Sequence, residues 1–169
     1  MSEASPATGL SPPGAGRVTA WRIVRHEHAA SAFTGIGARL MGGRFNSAGT
    51  PLVYAADCYA LALLEVRVHV PSFRGMRGRV AFRIEFSEDL VERAGADALP
   101  SDWQARPAAR AAQRFGDDWA RSGRSVVLAV PSVIAPEHVN YLLNPDHPDF
   151  GLVQIGEPVP VVVDPRLTP

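Results

Sequence analysis

The 169-residue chain contains no lysine, so arginine supplies all seventeen of its basic residues. Seventeen acidic residues cancel them and leave a formal net charge of zero. A neutral balance excludes a general nucleic-acid coat and a polybasic membrane tether, both of which need an excess of cationic side chains. It also weakens any reading as an RNA-cleaving protein, because no basic stripe with interleaved aromatics is present. Cysteine is nearly absent too. With Cys58 alone, no internal disulfide and no multi-cysteine metal site can form, and a reducing cytoplasm is the expected location. No apolar run approaches the roughly eighteen residues of a membrane span. The N-terminal "MSEASPATGLSPPGAGR" lacks the charged and apolar regions of a secretory signal and is expected to be a disordered leader over residues 1–17. Familiar motifs are missing as well: "GIGARLMGG" does not have GxGxxG spacing, there is no Walker loop, and Ser132 has no GxSxG around it. His26, His28, His69, His138 and His147 have no convincing zinc spacing, so they are read as solvated or capping groups and no metal is expected.

What is present fits one domain over residues 18–169. "VTAWRIV" from Val18 has the β-branched and aromatic content of a strand. A long glycine-rich stretch follows, with room for one short helical turn, and long loops inside compact domains are often functional. "PLVYAA" reads as a short strand, and Asp57 as the N-cap of a helix that must end before Pro71. "RVAFRIEF" alternates with period two, as expected for a strand with one wet face. Residues 107–123 read as an amphipathic helix, "SVVLAVPS" as a strand buried on both faces, and the tail as turns followed by two short strands. Strands outnumber helices and interleave with them, which predicts an α+β fold of mixed or antiparallel sheets with short helices.

Five side chains stand out. Glu65 shares a helix face with Leu61 and Val68 in what would otherwise be an apolar stripe with Leu64. A carboxylate aimed inward needs an arginine or hydrogen-bond donors facing it, unless it is a helix-edge residue that reaches water. Arg22 interrupts an apolar strand, and Arg44 follows Gly42 and Gly43, where bare backbone could let a ligand approach. Two arginine forks and a carboxylate suit a substrate carrying phosphate and sugar, although a single arginine is ordinarily a surface residue. Tyr54 could stack on a flat ring or simply belong to the core. Ser132 ends a buried strand, where it could face a cleft or cap the next turn.

Taken together, "WRI" at Trp21, "GGRFNSAGTPLVYAA" from Gly42, "ALALLEVRVH" from Ala60, "FGDDW" from Phe115, "LAVPSVIAPEHVNYLLNPDHPDF" from Leu128 and "VVDPRL" from Val162 resemble the RES domain family over nearly the whole chain. The arginine, glutamate and serine of that family match Arg44, Glu65 and Ser132, with Arg22 as a second arginine. Phe45 departs from the tryptophan usual after the arginine but keeps an aromatic. The resemblance implies a fold similar to ADP-ribosyltransferase toxins and a toxin of a bacterial type II toxin–antitoxin system that consumes NAD+. The nicotinamide–ribose bond would be cleaved by hydrolysis or phosphorolysis, or ADP-ribose transferred to a protein, without a metal. It further implies that Glu65 stabilises the charge developing on the ribose, that Arg44 and Arg22 hold the pyrophosphate, and that Tyr54 meets the nicotinamide end. Ser132, and Asn140 beside it, would complete a polar cluster. The implied partner is an Xre-type helix-turn-helix antitoxin, through which alone DNA is contacted, with a toxin homodimer inside the complex. The alternative is a non-catalytic nucleotide-binding or interaction module of the same fold.

Overall fold

The computed structural model describes residues 16–70, 72–164 and 166, so residues 1–15 of the expected leader lie outside the described residues. The alternating and apolar stretches form strands β1 (Arg17–Arg25), β2 (Val53–Ala56), β3 (Arg79–Ser87), β4 (Val91–Arg93), β5 (Val127–Pro131), β6 (Val139–Leu143), β7 (Gln154–Ile155) and β8 (Val159–Pro160). Among them run three helices, α1 (Ile36–Met41), α2 (Tyr59–Arg67) and α3 (Arg110–Ser122). The strands make one sheet in the order β4-β5-β6-β2-β1-β3-β7, with β8 also on β3. Every pairing is antiparallel except β4 with β5, and the fold is the expected mixed α+β type.

Register explains where the sheet can open. β1 and β3 pair continuously from Arg17↔Ser87 to Arg25↔Arg79, whereas β1 and β2 meet only at Trp21↔Ala56. Without further ladder bonds, the backbone polar groups beyond that pair need other partners. On the far side β5 and β6 carry the core. Val127 and Ala129 face one apolar cluster with Ile84 and Phe86, while Leu128 and Val130 face another with Trp119 and Leu52. β5 is thus buried on both faces, as its unbroken apolar run predicts.

Several local expectations are corrected. Asp57 does not cap α2: the Cys58 Sγ accepts from the Leu61 N–H at 3.4 Å, while Asp57 accepts from Val139 N–H and faces His138 Nδ1, both at 3.0 Å. Three ligand-type groups, Asp57, Cys58 and His138, therefore cluster where α2 meets the start of β6. The wet face of β3 is only partly wet, because Ala81 and Glu85 are buried. β7 and β8 cover that edge, and Glu85 survives burial through Arg83 at 2.6 Å and Arg17 at 3.5 Å. β4 and β6 were not anticipated as strands. β4 is three residues long, and β6 contains Asn140, a type depleted in strands.

Candidate functional site

A cleft of about 1000 Å³ opens along the β1–β2 seam and is lined by α1, α2 and the loops on either side. Its charged lining is lopsided for a neutral protein: Arg22, Arg25, Arg44, Arg79 and Arg106 face a single carboxylate, Glu65. A concave site of one charge sign concentrates field and favours an anionic ligand.

Glu65 reaches this cleft from α2, but not along the apolar stripe its spacing suggests. Leu61 and Ala62 are buried against β1 and β3, whereas Leu64 and Val68 are exposed. The helix is seated by Leu61 and Ala62 with Leu63 and Val66 beside them, and Glu65 and Val68 border the open cleft. There Glu65 Oε1 accepts from Asn140 Nδ2 at 2.6 Å and from Ser132 Oγ at 3.2 Å. The expected facing donors are therefore an amide and a hydroxyl rather than an arginine. Ser132 is fully buried, and its oxygen also accepts from Ile134 and Ala135 N–H at 3.1 and 3.2 Å. The capping and cleft-facing readings of this serine are both realised in one hydroxyl. Asn140 is oriented by chemistry, since only its NH2 can donate to a carboxylate. Its Oδ1 is buried without a hydrogen-bond partner among the described residues.

Arg44 sits across the cleft in the loop after α1. One nitrogen, Nη1, donates to the carbonyls of Trp103 and Ala105 at 2.7 and 3.0 Å. Burial first and the Arg106 charge second lower its pKa, opposed by Glu65 and Tyr54. Its bonds to the segment at 103–105 use Nη1 alone, and the residue lines the cleft. Arg22 is used differently. Its Nε donates to Ala32 O at 2.8 Å and its Nη1 to Tyr54 O at 2.6 Å, so it supplies a partner to a β2 carbonyl past Trp21↔Ala56 and ties the loop before α1 to the sheet. Burial lowers its pKa to about 10, still far above neutrality, so it remains a cation.

Tyr54 lines the cleft with part of its ring while its hydroxyl is committed to the loop. The hydroxyl donates to Asn46 Oδ1 at 2.7 Å and accepts from Phe45 N–H at 3.2 Å. Burial raises its pKa, so it stays protonated. A Cβ on Gly43 would lie 2.6 Å from this hydroxyl and 2.7 Å from Asn46 Oδ1. The bareness of Gly43 thus accommodates the chain's own loop.

Sequence reasoning missed the residues that hold this loop. Asn46, fully buried, donates from Nδ2 to Ala38, Ser47 and Thr50 carbonyls at 2.8, 3.1 and 3.0 Å. α3 grips the loop at three points on one face. Gln113 donates to Gly43 O at 3.0 Å, Gly116 lets Phe45 O approach to 1.8 Å of where a Cβ would stand, and Asp117 accepts from Ser47 N–H and Oγ at 3.0 and 2.5 Å. The spacing of three and one residues places these groups on adjacent turns. The signal was present in "FGDDW": a carboxylate, Asp117, directly after a helix glycine and two residues before the buried Trp119.

A family model described as the RES domain matches residues 19–164. The chain is similar to a protein called Prs ADP-ribosylating toxin from Sphingobium sp., 40% identical over 87% of this chain and 94% of that one. It is also 37% identical to a Toxin Res from Photorhabdus laumondii, over 77% of this chain and 83% of the relative. In structure it resembles the Mycobacterium tuberculosis MbcT–MbcA toxin–antitoxin complex, with a TM-score of 0.69 at 19% identity, covering 86% of this chain and 85% of the other. No helix among the described residues is long and apolar enough to cross a membrane. On a family match that spans every element from β1 to β8, the chain belongs to the RES domain family.

Proposed function

We propose that this protein is the toxin of a bacterial toxin–antitoxin pair and that it degrades NAD+ by breaking the nicotinamide–ribose bond. The observation that carries the reading is Glu65: a carboxylate fixed by two donors, Asn140 and Ser132, inside a cleft whose other charged groups are all arginines. The names of its relatives, an ADP-ribosylating toxin and several Res toxins, support the same substrate class.

The chemistry follows from the bond. As C1′–N cleaves, its electron pair moves onto the nicotinamide ring nitrogen and neutralises the pyridinium, while positive charge builds on C1′ and the ring oxygen. A preorganised carboxylate opposite that centre stabilises the developing charge without having to reorganise. Asn140 and Ser132 prevent Glu65 from swinging to one of the cleft arginines, which would neutralise it. Arg44 holds the diphosphate, and Tyr54, with its hydroxyl tied back to Asn46, offers the exposed part of its ring as a wall for the nicotinamide riboside. Arg22 fixes the Tyr54 backbone and so sets the position of that wall. Water, inorganic phosphate or a protein side chain then attacks C1′, and Glu65 orients it. An Xre-type antitoxin that occludes this cleft, a homodimeric toxin and a cytoplasmic site of action complete the proposal.

The test is direct. Purified protein is expected to release nicotinamide from NAD+, and Glu65→Gln, which keeps the shape and one acceptor oxygen but loses the charge, is expected to reduce the rate at least about a hundredfold, the scale of losing one preorganised electrostatic group. Product analysis with and without phosphate and cell extract identifies the acceptor. Full activity in Glu65→Gln refutes the mechanism, and tight NAD+ binding without nicotinamide release identifies a non-catalytic binding module instead.

A further inference from the structure

Among the cleft arginines, four have a described protein partner. Arg22 and Arg44 donate to backbone carbonyls, Arg25 lies 3.6 Å from Glu27, and Arg79 donates to Gly75 O at 2.9 Å. Arg106 is different. It lines the cleft with no hydrogen bond or ion pair among the described residues. Its backbone is nevertheless well placed, because the preceding residues are anchored. Trp103 is buried and stacks on Phe45 with ring centroids 6.4 Å apart, Ala105 N–H donates to Asp102 O at 2.9 Å, and Arg44 Nη1 binds the Trp103 and Ala105 carbonyls. The guanidinium of Arg44 is thus bonded to the residue next to Arg106. Arg106 itself is exposed, and the two arginines line the same cleft with no carboxylate bonded to either among the described residues.

From this juxtaposition we infer that Arg106 is a substrate-binding residue, forming with Arg44 a two-arginine clamp for the diphosphate of a nucleotide. Like charges held this close repel each other unless an anion lies between them, and a diphosphate offers two anionic groups to two planar forks. The electrostatic coupling between Arg44 and Arg106 is consistent with that proximity. Arg22 is excluded from the clamp because two of its nitrogens already satisfy buried carbonyls of β2 and the loop before α1. Division of labour follows: Arg22 maintains the wall, Arg44 links wall to loop and ligand, and Arg106 acts on ligand alone.

The inference rests on the reading of the cleft as a nucleotide site, and its test does not require turnover. Binding of ADP, inorganic pyrophosphate and adenosine is measured by calorimetry on the wild-type chain, Arg106→Gln and Arg106→Lys. Arg106→Gln is expected to weaken ADP and pyrophosphate roughly tenfold or more, the loss of one charge-assisted contact, while adenosine changes less than about twofold. Arg106→Lys is expected to recover part of the loss, since the charge returns without the fork. In turnover, the same Arg106→Gln variant raises the KM for NAD+ and leaves kcat within about twofold, the mark of uniform binding. Unchanged ADP affinity in Arg106→Gln, or an equal loss for ADP and adenosine, overturns the inference. If no variant turns over NAD+ but ADP still depends on Arg106, the clamp stands and the catalytic reading falls.

Discussion

Replacing Arg22 by methionine separates a structural cation from a substrate-binding one. The guanidinium keeps some exposure to the cleft, yet burial lowers its pKa from 12.5 to about 10. At about 1.4 kcal/mol per unit, holding it charged in that place costs about 3.5 kcal/mol. Against this stand the bonds to Tyr54 O and Ala32 O, each of the charge-assisted kind that contributes about 1.5–3 kcal/mol. The two sides nearly cancel, so the arginine adds little net stability over a perfect apolar core. Its removal is a different matter. Methionine fills much of the volume but leaves two carbonyls without donors, at about 1–3 kcal/mol each. The expected loss is about 2–6 kcal/mol, or roughly 4–24 °C in Tm for a domain of this size. Thermal denaturation followed by circular dichroism measures it, and Arg22→Lys is expected to fall between, because one ammonium cannot span both carbonyls as a planar fork does. A Tm within about 1 °C of wild type, together with a large rise in the KM for NAD+, would refute this reasoning and return Arg22 to the ligand.

Three further outcomes follow from the loop and its clamp. Gly116→Ala places a methyl 1.8 Å from Phe45 O, so helix and loop must part, and a loss of about 3 kcal/mol or more is expected in chemical denaturation. Asp117→Ala leaves Ser47 N–H and Oγ unpaired beneath the Arg44 loop, and is expected to cost about 2–4 kcal/mol and to raise the KM for NAD+ in whatever fraction remains folded. Ser132→Ala frees two backbone N–H groups and one donor to Glu65, so it is expected to lower both Tm, by a few degrees, and kcat, roughly tenfold, and kcat is measured by nicotinamide release at 25 °C.

The order of strands was readable where pattern was strong. "RVAFRIEF" and "SVVLAVPS" became β3 and β5 because period-two alternation and an unbroken apolar run leave few other folds for those residues. β6 was not readable, because its Asn140 and the turn-forming residues on either side argue against a strand locally, and pairing with β2 and β5 makes it one. Glu65 illustrates the same limit from the other side. Its inward carboxylate was a sound expectation, but the helix-face argument also predicted a buried Leu64 and Val68, and both are exposed because α2 borders a cleft rather than a core. Residues at a functional opening violate amphipathic rules for a reason, and periodicity alone cannot distinguish an opening from an error. The donors to Glu65 come from β5's end and from β6, 67 and 75 residues away in sequence, so no local spacing could have paired them.

The loop from Gly42 to Thr50 carries the last step of the argument. Arg44 could have been placed by the loop's own turns, yet Asn46 ties its interior, Tyr54 fixes Phe45, and α3 grips Gly43, Phe45 and Ser47 from outside. So many constraints on nine residues exceed what stability needs, since an exposed loop of that length closes at little entropic cost. They make sense if the position of one guanidinium must be kept to a fraction of an ångström while both of its neighbours in the cleft, Glu65 and Arg106, are held by other elements. A fork misplaced by about 1 Å costs roughly a hundredfold in rate, and only a braced loop prevents that. By the same logic the substitutions that hurt most without touching substrate should lie on α3, at Gln113, Gly116 and Asp117, rather than among exposed apolar residues such as Leu40, Met41 and Leu64.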